Sequence, residues 1–316
     1  MRFEEAKARA LRDPRSRCRD PRSWRGRRPT AACGRTWPVC LAIGLGAIWP
    51  GTAWSQLRRD PTVQPIGTVR KGDVLVGLGV RYSADAEFPL SGLSGDLFSV
   101  GRLTLAYGLA ERVLIELRGD VYQVLSIDSA GPSAVPLDAG VADGTTTDVG
   151  DFRLSMLFAP IGSSDGFSAG ARVEVKLPNS DETRGIGTNT TDFRLGLLGS
   201  YGQGALRVTA DVGVAILEAP LENFQQNDVL AYGAELLYSV AGGRGRLALG
   251  TDGRASTRGH VPLGTEDLGE LRVGGDYRSG VWLLDAGVGL GYADASPDWT
   301  VSVGLGYAVG QGRTGR

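Results

Sequence analysis

Chemistry in a protein needs nucleophiles, bases or metal ligands in register with one another, and this chain is poor in all three. His260 is its one histidine, and it falls in a stretch that reads as a loop, so a Ser–His couple has no support from the pattern. The three cysteines, Cys18, Cys33 and Cys40, all precede residue 55. A zinc site, a structural disulfide and a thiol nucleophile are therefore excluded downstream. The acidic, Thr-rich run Asp138–Asp148 offers oxygen ligands but lacks the fixed spacing of a calcium loop, and reads as a solvated connection. Gly185-Ile186-Gly187 is turn chemistry, since no helix follows it. What remains is a set of isolated charges spaced along strand-like segments: Arg102, Glu116, Arg118, Asp120, Arg153, Arg172, Glu174, Lys176, Arg194, Arg207, Asp211, Glu235, Arg246, Asp252, Arg254, Glu270, Arg272, Asp276 and Asp285. Such a mixture suits either ion-pair ladders or the lining of a pore, and the residue types alone do not separate the two.

The elements that carry these charges alternate with period two. From Asp298 to Val309 one face reads Trp299, Val301, Val303, Leu305, Tyr307, and the other Thr300, Ser302, Gly304, Gly306, Ala308. Phe167 to Leu177, Leu206 to Ile216 and Trp282 to Tyr292 behave the same way. Twelve strands are expected, at 73–82, 97–107, 112–125, 151–159, 167–177, 192–201, 205–217, 228–240, 244–254, 267–277, 281–292 and 298–309. Globular strands run ~5–6 residues, whereas a tilted membrane-crossing strand needs ~9–11, so these lengths favour a membrane. The connections alternate long and short, as in a barrel with short periplasmic turns and longer extracellular loops. The rival is a water-soluble β-sandwich with the greasy face turned inward. Its outer face would be rich in Lys, Glu and Thr, while here the second face is mostly Gly, Ala and Ser with single charges. Glycine is 48 of 316 residues, about double the usual share of ~7%.

A closed antiparallel transmembrane β-barrel of about twelve strands is therefore expected over 73–310, with its charges turned away from lipid, where each would cost ~2–4 kcal/mol at mid-membrane. Residues 311–316 read as a tail and 56–72 as a periplasmic N-terminal segment long enough to enter the bore. The first 55 residues carry 12 Lys+Arg against 4 Asp+Glu, while the rest carries 22 basic and 31 acidic residues. Within them the apolar run Trp37–Trp49 is too short to span a bilayer, and Ala53 and Ser55 stand at −3 and −1 of a cleavage site before Gln56. Residues 1–55 thus read as an Arg-rich leader with a cleaved secretory signal. Mature acidity and the lack of a basic stripe argue against nucleic acid as a partner.

One segment is more distinctive. Gly150-Asp151-Phe152-Arg153-Leu154 opens a strand, Val173-Glu174-Val175-Lys176-Leu177-Pro178-Asn179-Ser180 closes the next, and Gly185-Ile186-Gly187-Thr188 leads to Thr191-Asp192-Phe193. This resembles the outer-membrane barrels of the "MetA-pathway of phenol degradation" transporter family, over about residues 70–310. The last strand, Trp299–Tyr307, is similar to theirs as well. Asn179-Ser180 stands where that family has Thr-Gly, and the chain ends in Gly310–Arg316 rather than at a terminal aromatic. The resemblance implies passive uptake of small solutes, aromatic or hydrophobic ones among them, and identifies no catalytic residues; residence in the bacterial outer membrane, no enzymatic activity and no cofactor are expected. The alternative is a non-conducting barrel used for structure or adhesion. The lumen-lining candidates are Arg102, Glu116, Arg118, Arg153, Arg172, Glu174, Lys176, Arg194, Arg207, Asp211, Glu235, Arg246, Arg272 and Asp285. Lipid and a small-molecule solute are the expected partners.

Overall fold

In the computed structural model, the described residues are 71–162, 166–221 and 226–309. The leader and signal peptide expected at 1–55, all but the last two residues of the segment expected at 56–72, and the tail at 311–316 lie outside them. Among the described residues thirteen strands form, separated by short connections at one end and longer ones at the other, with three one-turn 3-10 segments. They are β1 (Val74–Phe88), β2 (Leu93–Ala110), β3 (Val113–Ala130), β4 (Thr145–Asp148), β5 (Arg153–Gly162), β6 (Gly166–Lys176), β7 (Asp192–Gln203), β8 (Leu206–Glu218), β9 (Gln226–Val240), β10 (Gly245–Ser256), β11 (Leu268–Ser279), β12 (Trp282–Gly291) and β13 (Trp299–Val309). Each long strand is antiparallel to its neighbours, and β1 closes the circle on β13, from Val74 opposite Val309 to Ala84 opposite Trp299. The result is a closed barrel of twelve strands, with β4 added as a short rider on the far end of β3. Closure leaves none of the twelve barrel strands as a sheet edge, which hydrocarbon would penalise. No helix among the described residues is long and apolar enough to cross a membrane.

The direction of the greasy face decides between barrel and sandwich. Along β1, Val74, Val76, Leu78 and Val80 are exposed, while Leu75 and Gly77 are buried. On β13, Trp299, Val301, Val303, Leu305 and Tyr307 are exposed, and on β7 Leu195 and Leu197 reach 62% and 67% exposure. A water-soluble sandwich would bury these side chains; here they clothe the outside, which needs lipid to cover it. Aromatic pairs mark both rims of this band. Tyr82 and Trp299 sit 5.1 Å apart near the loop end, and Trp282 and Tyr307 5.2 Å apart near the turn end. Trp299 and Tyr307 are eight residues apart on one strand, about 26 Å at ~3.3 Å per residue, which tilt reduces to roughly 20 Å of height.

The strands overrun their expected limits at one end. Segment 83–96 was expected as a loop, yet β1 runs on to Phe88 and β2 starts at Leu93. Likewise 126–150 was expected as a loop, but β3 continues to Ala130 and β4 pairs back onto Gln123–Ser126. Polarity explains the misreading: Ser83, Asp85, Ser94, Asp96, Ser126, Asp128 and Ser129 look like loop residues, but above the membrane a strand has no lipid to face. Connections 111–112, 204–205, 241–244 and 280–281 gather at the other end.

Strict alternation breaks at several bulges, and one of them has a clear purpose. Gly101 takes φ +66°, and the β1–β2 register shifts between Gly77 and Val80. Phe98 and Val100 face out and Ser99 in; without the bulge Arg102 would follow Phe98 and Val100 onto the lipid side. The extra residue turns Arg102 inward instead, opposite Asp120 on β3.

Candidate functional site

The inner face carries the charges. Centred on β3, β5 and β6, Glu174 receives Arg118 at 3.0 Å and Arg153 at 3.2 Å, and Glu116 lies 2.5 Å from the Arg118 guanidinium. Arg172 is buried one step below Glu174 on the same face. Lys176 reaches Asp192 at 3.1 Å and Asp151 at 3.3 Å, and donates to the hydroxyls of Thr188 and Thr190. Arg194 pairs with Asp211 on the next strand. Further round, Arg246 Nε donates to both oxygens of Asp276, at 3.1 and 3.0 Å, and Arg272 pairs with Asp252. Arg81 on β1 bonds Glu270 on β11 at 2.6 Å, three strands away. Arg102 meets Asp120 at 3.3 Å, and Arg207 donates to Ser200 at 3.4 Å. Glu235, Arg272 and Asp285 converge on a small space of about 40 Å³.

All fourteen candidates thus sit on the inward side of their strands, most of them in pairs. Strand pairing makes this inevitable, because residues opposite one another share a face. Glu174 is opposite Ser155 and Arg194, and Lys176 opposite Arg153 and Asp192.

Between the pairs run three cavities. One, of about 230 Å³, is lined by Arg102, Arg118, Asp120, Asp151, Arg153 and Asp285. The second, of about 250 Å³, has Arg118, Arg153, Lys176, Asp192 and Arg254 on its wall, together with Ala215, Leu217, Ala231 and Leu268. The third, of about 240 Å³, rises to the loops at Phe88–Leu90, Gly185–Thr188 and Gly264. Arg153 lines all three. The loop end is itself built, not frayed. Leu93, Leu125 and Val141 are buried under Phe88, Leu97, Ile127, Leu137 and Ile186. Ser91 donates to the Gly185 carbonyl at 2.7 Å, and Thr146 to that of Arg184 at 2.9 Å. Asp181 caps the turn 182–184 by accepting from the Thr183 N–H and hydroxyl, which hold its carboxyl below the usual carboxylate range. His260 is exposed in the connection 257–267, and no group of three or more potential metal ligands forms among the described residues.

The inner face was expected to be small and sparsely charged throughout, and at the turn end it is not. Leu75, Leu114, Leu157 and Leu198 point inward, each no more than 5% exposed, and pack with Ala106, Ala159 and Ala308 in one cluster. Leu237 and Leu283 are also buried on the inner face. The available signal was a run of three apolar residues where two should alternate with a small one, as in Val113-Leu114-Ile115 and Met156-Leu157-Phe158.

No family model matches the chain, and no curated protein matches it. Solved structures do. An outer membrane channel of the COG4313 group from Pseudomonas putida F1 is 17% identical, with a TM-score of 0.52 over 79% of this chain and 99% of that one. The translocator domain of the autotransporter NalP from Neisseria meningitidis is 14% identical, with a TM-score of 0.46 over 75% and 88%. The outer membrane channel DcaP of Acinetobacter baumannii is 13% identical, with a TM-score of 0.38 over 78% and 100%. The first of these likenesses, at its modest identity, establishes the architecture: the chain has the fold of a bacterial outer-membrane β-barrel.

Proposed function

We propose that this barrel is a passive outer-membrane channel for small solutes, reached by export through a cleaved signal peptide. The observation that carries the reading is a set of three charged cavities that share Arg153 on their walls, one of them reaching the loops. Eight strands fill their bore with side chains and sixteen leave an open pore; twelve lie between. Seven of the fourteen inward candidates, Arg102, Arg118, Arg153, Glu174, Lys176, Arg194 and Asp285, line these cavities, and in this reading their charges set the ion preference. The segment Gly150–Phe193 supports kinship with the phenol-degradation transporter barrels, and the Pseudomonas barrel of like fold is an outer membrane channel. The reading is non-enzymatic, because the inner face holds Arg–carboxylate pairs rather than a nucleophile beside a base.

A non-conducting barrel is the second reading, and the inward leucines at the turn end favour it. Planar-bilayer recording on protein purified from membranes separates the two. A channel gives discrete current steps in potassium chloride, and Arg153→Glu shifts their selectivity toward cations. A silent bilayer with correctly folded protein contradicts the channel.

A further inference from the structure

Most inward guanidiniums form a close ion pair with a carboxylate, whereas Arg254 on β10 does not, although the carboxylates of Asp192, Glu266 and Asp267 lie within its electrostatic reach. Its Nε donates to the Glu266 carbonyl at 2.7 Å, and no carboxylate of the described residues forms an ion pair with it. Its two Nη groups remain uncommitted, and it lines both the middle cavity and the one that rises to the loops. Arg153 and Lys176 share those two walls with it. The same middle cavity has an unusual second wall. On β8 and β9 the inner face becomes aliphatic: Ala215, Leu217 and Ala231 are each less than 10% exposed and form one cluster with Val229. Leu268 of β11 extends this surface.

From this juxtaposition we infer a binding site for a small anion with an apolar body, a monocarboxylate of about one ring or a short alkyl chain. The carboxylate takes the free fork of Arg254, a planar donor pair that matches two carboxylate oxygens. The body lies on Leu217, Ala231 and Leu268. The space of about 250 Å³ falls below the ~300–1,000 Å³ of sites for drug-sized ligands, which limits the occupant to that size. The wall also carries the carboxylates of Glu174, Asp192 and Asp252 beside Arg118, Arg153, Lys176 and Arg194, so the selective features are Arg254 and the aliphatic side, from which a purely hydrated ion would gain nothing. The inference rests on the channel reading and names its solute class.

Isothermal titration on detergent-solubilised protein tests it, with benzoate, benzyl alcohol and acetate as probes. Benzoate should bind saturably, with benzyl alcohol and acetate each at least about tenfold weaker, since one lacks the charge and the other the body. Arg254→Gln should cost benzoate at least about tenfold in affinity, and Leu217→Asn should weaken benzoate while leaving acetate unchanged. Equal binding of benzoate and benzyl alcohol, or undiminished affinity in Arg254→Gln, overturns the site. If Arg254→Gln fails to fold, the ranking of the three probes on the unaltered protein still decides. Current steps without benzoate selectivity would sink the site and leave the channel; benzoate selectivity without current steps would do the reverse.

Discussion

Glu174 lies between two guanidiniums, Arg118 at 3.0 Å and Arg153 at 3.2 Å, and is 5% exposed. Removing one partner from a buried ion pair costs about 3–5 kcal/mol, because the other charge is left uncompensated. Glu174→Gln should therefore lower barrel stability by about that amount, read as a shift of the urea midpoint for protein in lipid vesicles. An unchanged midpoint would mean that water screens the pair. Asp181 offers a second test at the loops. Its depressed carboxyl stabilises the turn at any pH above the ordinary carboxylate range, and that contribution is lost as pH falls through the lowered value. Protease cleavage within 177–191 should thus speed up only on strong acidification, whereas Asp181→Ala should be cleaved quickly at neutral pH too. An inward position for these charges was the expectation from the sequence, since a charge on a lipid-facing strand has nowhere else to go. Their partners were not legible there, because Arg81 reaches Glu270 across 189 residues of chain.

At the scale of the strand, alternation carried most of the fold, and its breaks carried the rest. Val173 and Val175 alternate with Arg172, Glu174 and Lys176, so β6 was readable by inspection. Arg102 was assigned inward for its charge alone; the alternation of Phe98 and Val100 argues the other way, and only the bulge at Gly101 reconciles the two. Strand ends beyond the membrane were illegible because their polar residues copy loop composition. The inward leucines were visible as triplets but overlooked, since an apolar residue in such a strand is first taken as lipid-facing. They have a consequence for transport: a hydrophobic constriction gates by shedding water. Replacing Leu114 and Leu157 together by serine should wet the turn end and raise single-channel conductance by roughly twofold or more. A conductance equal to that of the unaltered barrel would place the narrowest point elsewhere.

Among the described residues, the barrel turns a soluble protein inside out: leucine, valine and aromatic side chains clothe the outside, and ion pairs with a few leucines lie within. Closure through β1 and β13 makes this arrangement possible, and the two aromatic pairs give the band its rims. Neighbouring positions on the closing strand therefore differ in environment. Ser302 lines a cavity and Val303 is exposed on the outer face. Spin labels at Ser302→Cys and Val303→Cys, read in lipid vesicles against oxygen and a water-soluble nickel relaxant, test this directly. A membrane barrel predicts oxygen access at the second site and nickel access at the first. Nickel access at both, or the reverse pattern, would contradict an outer face covered by lipid.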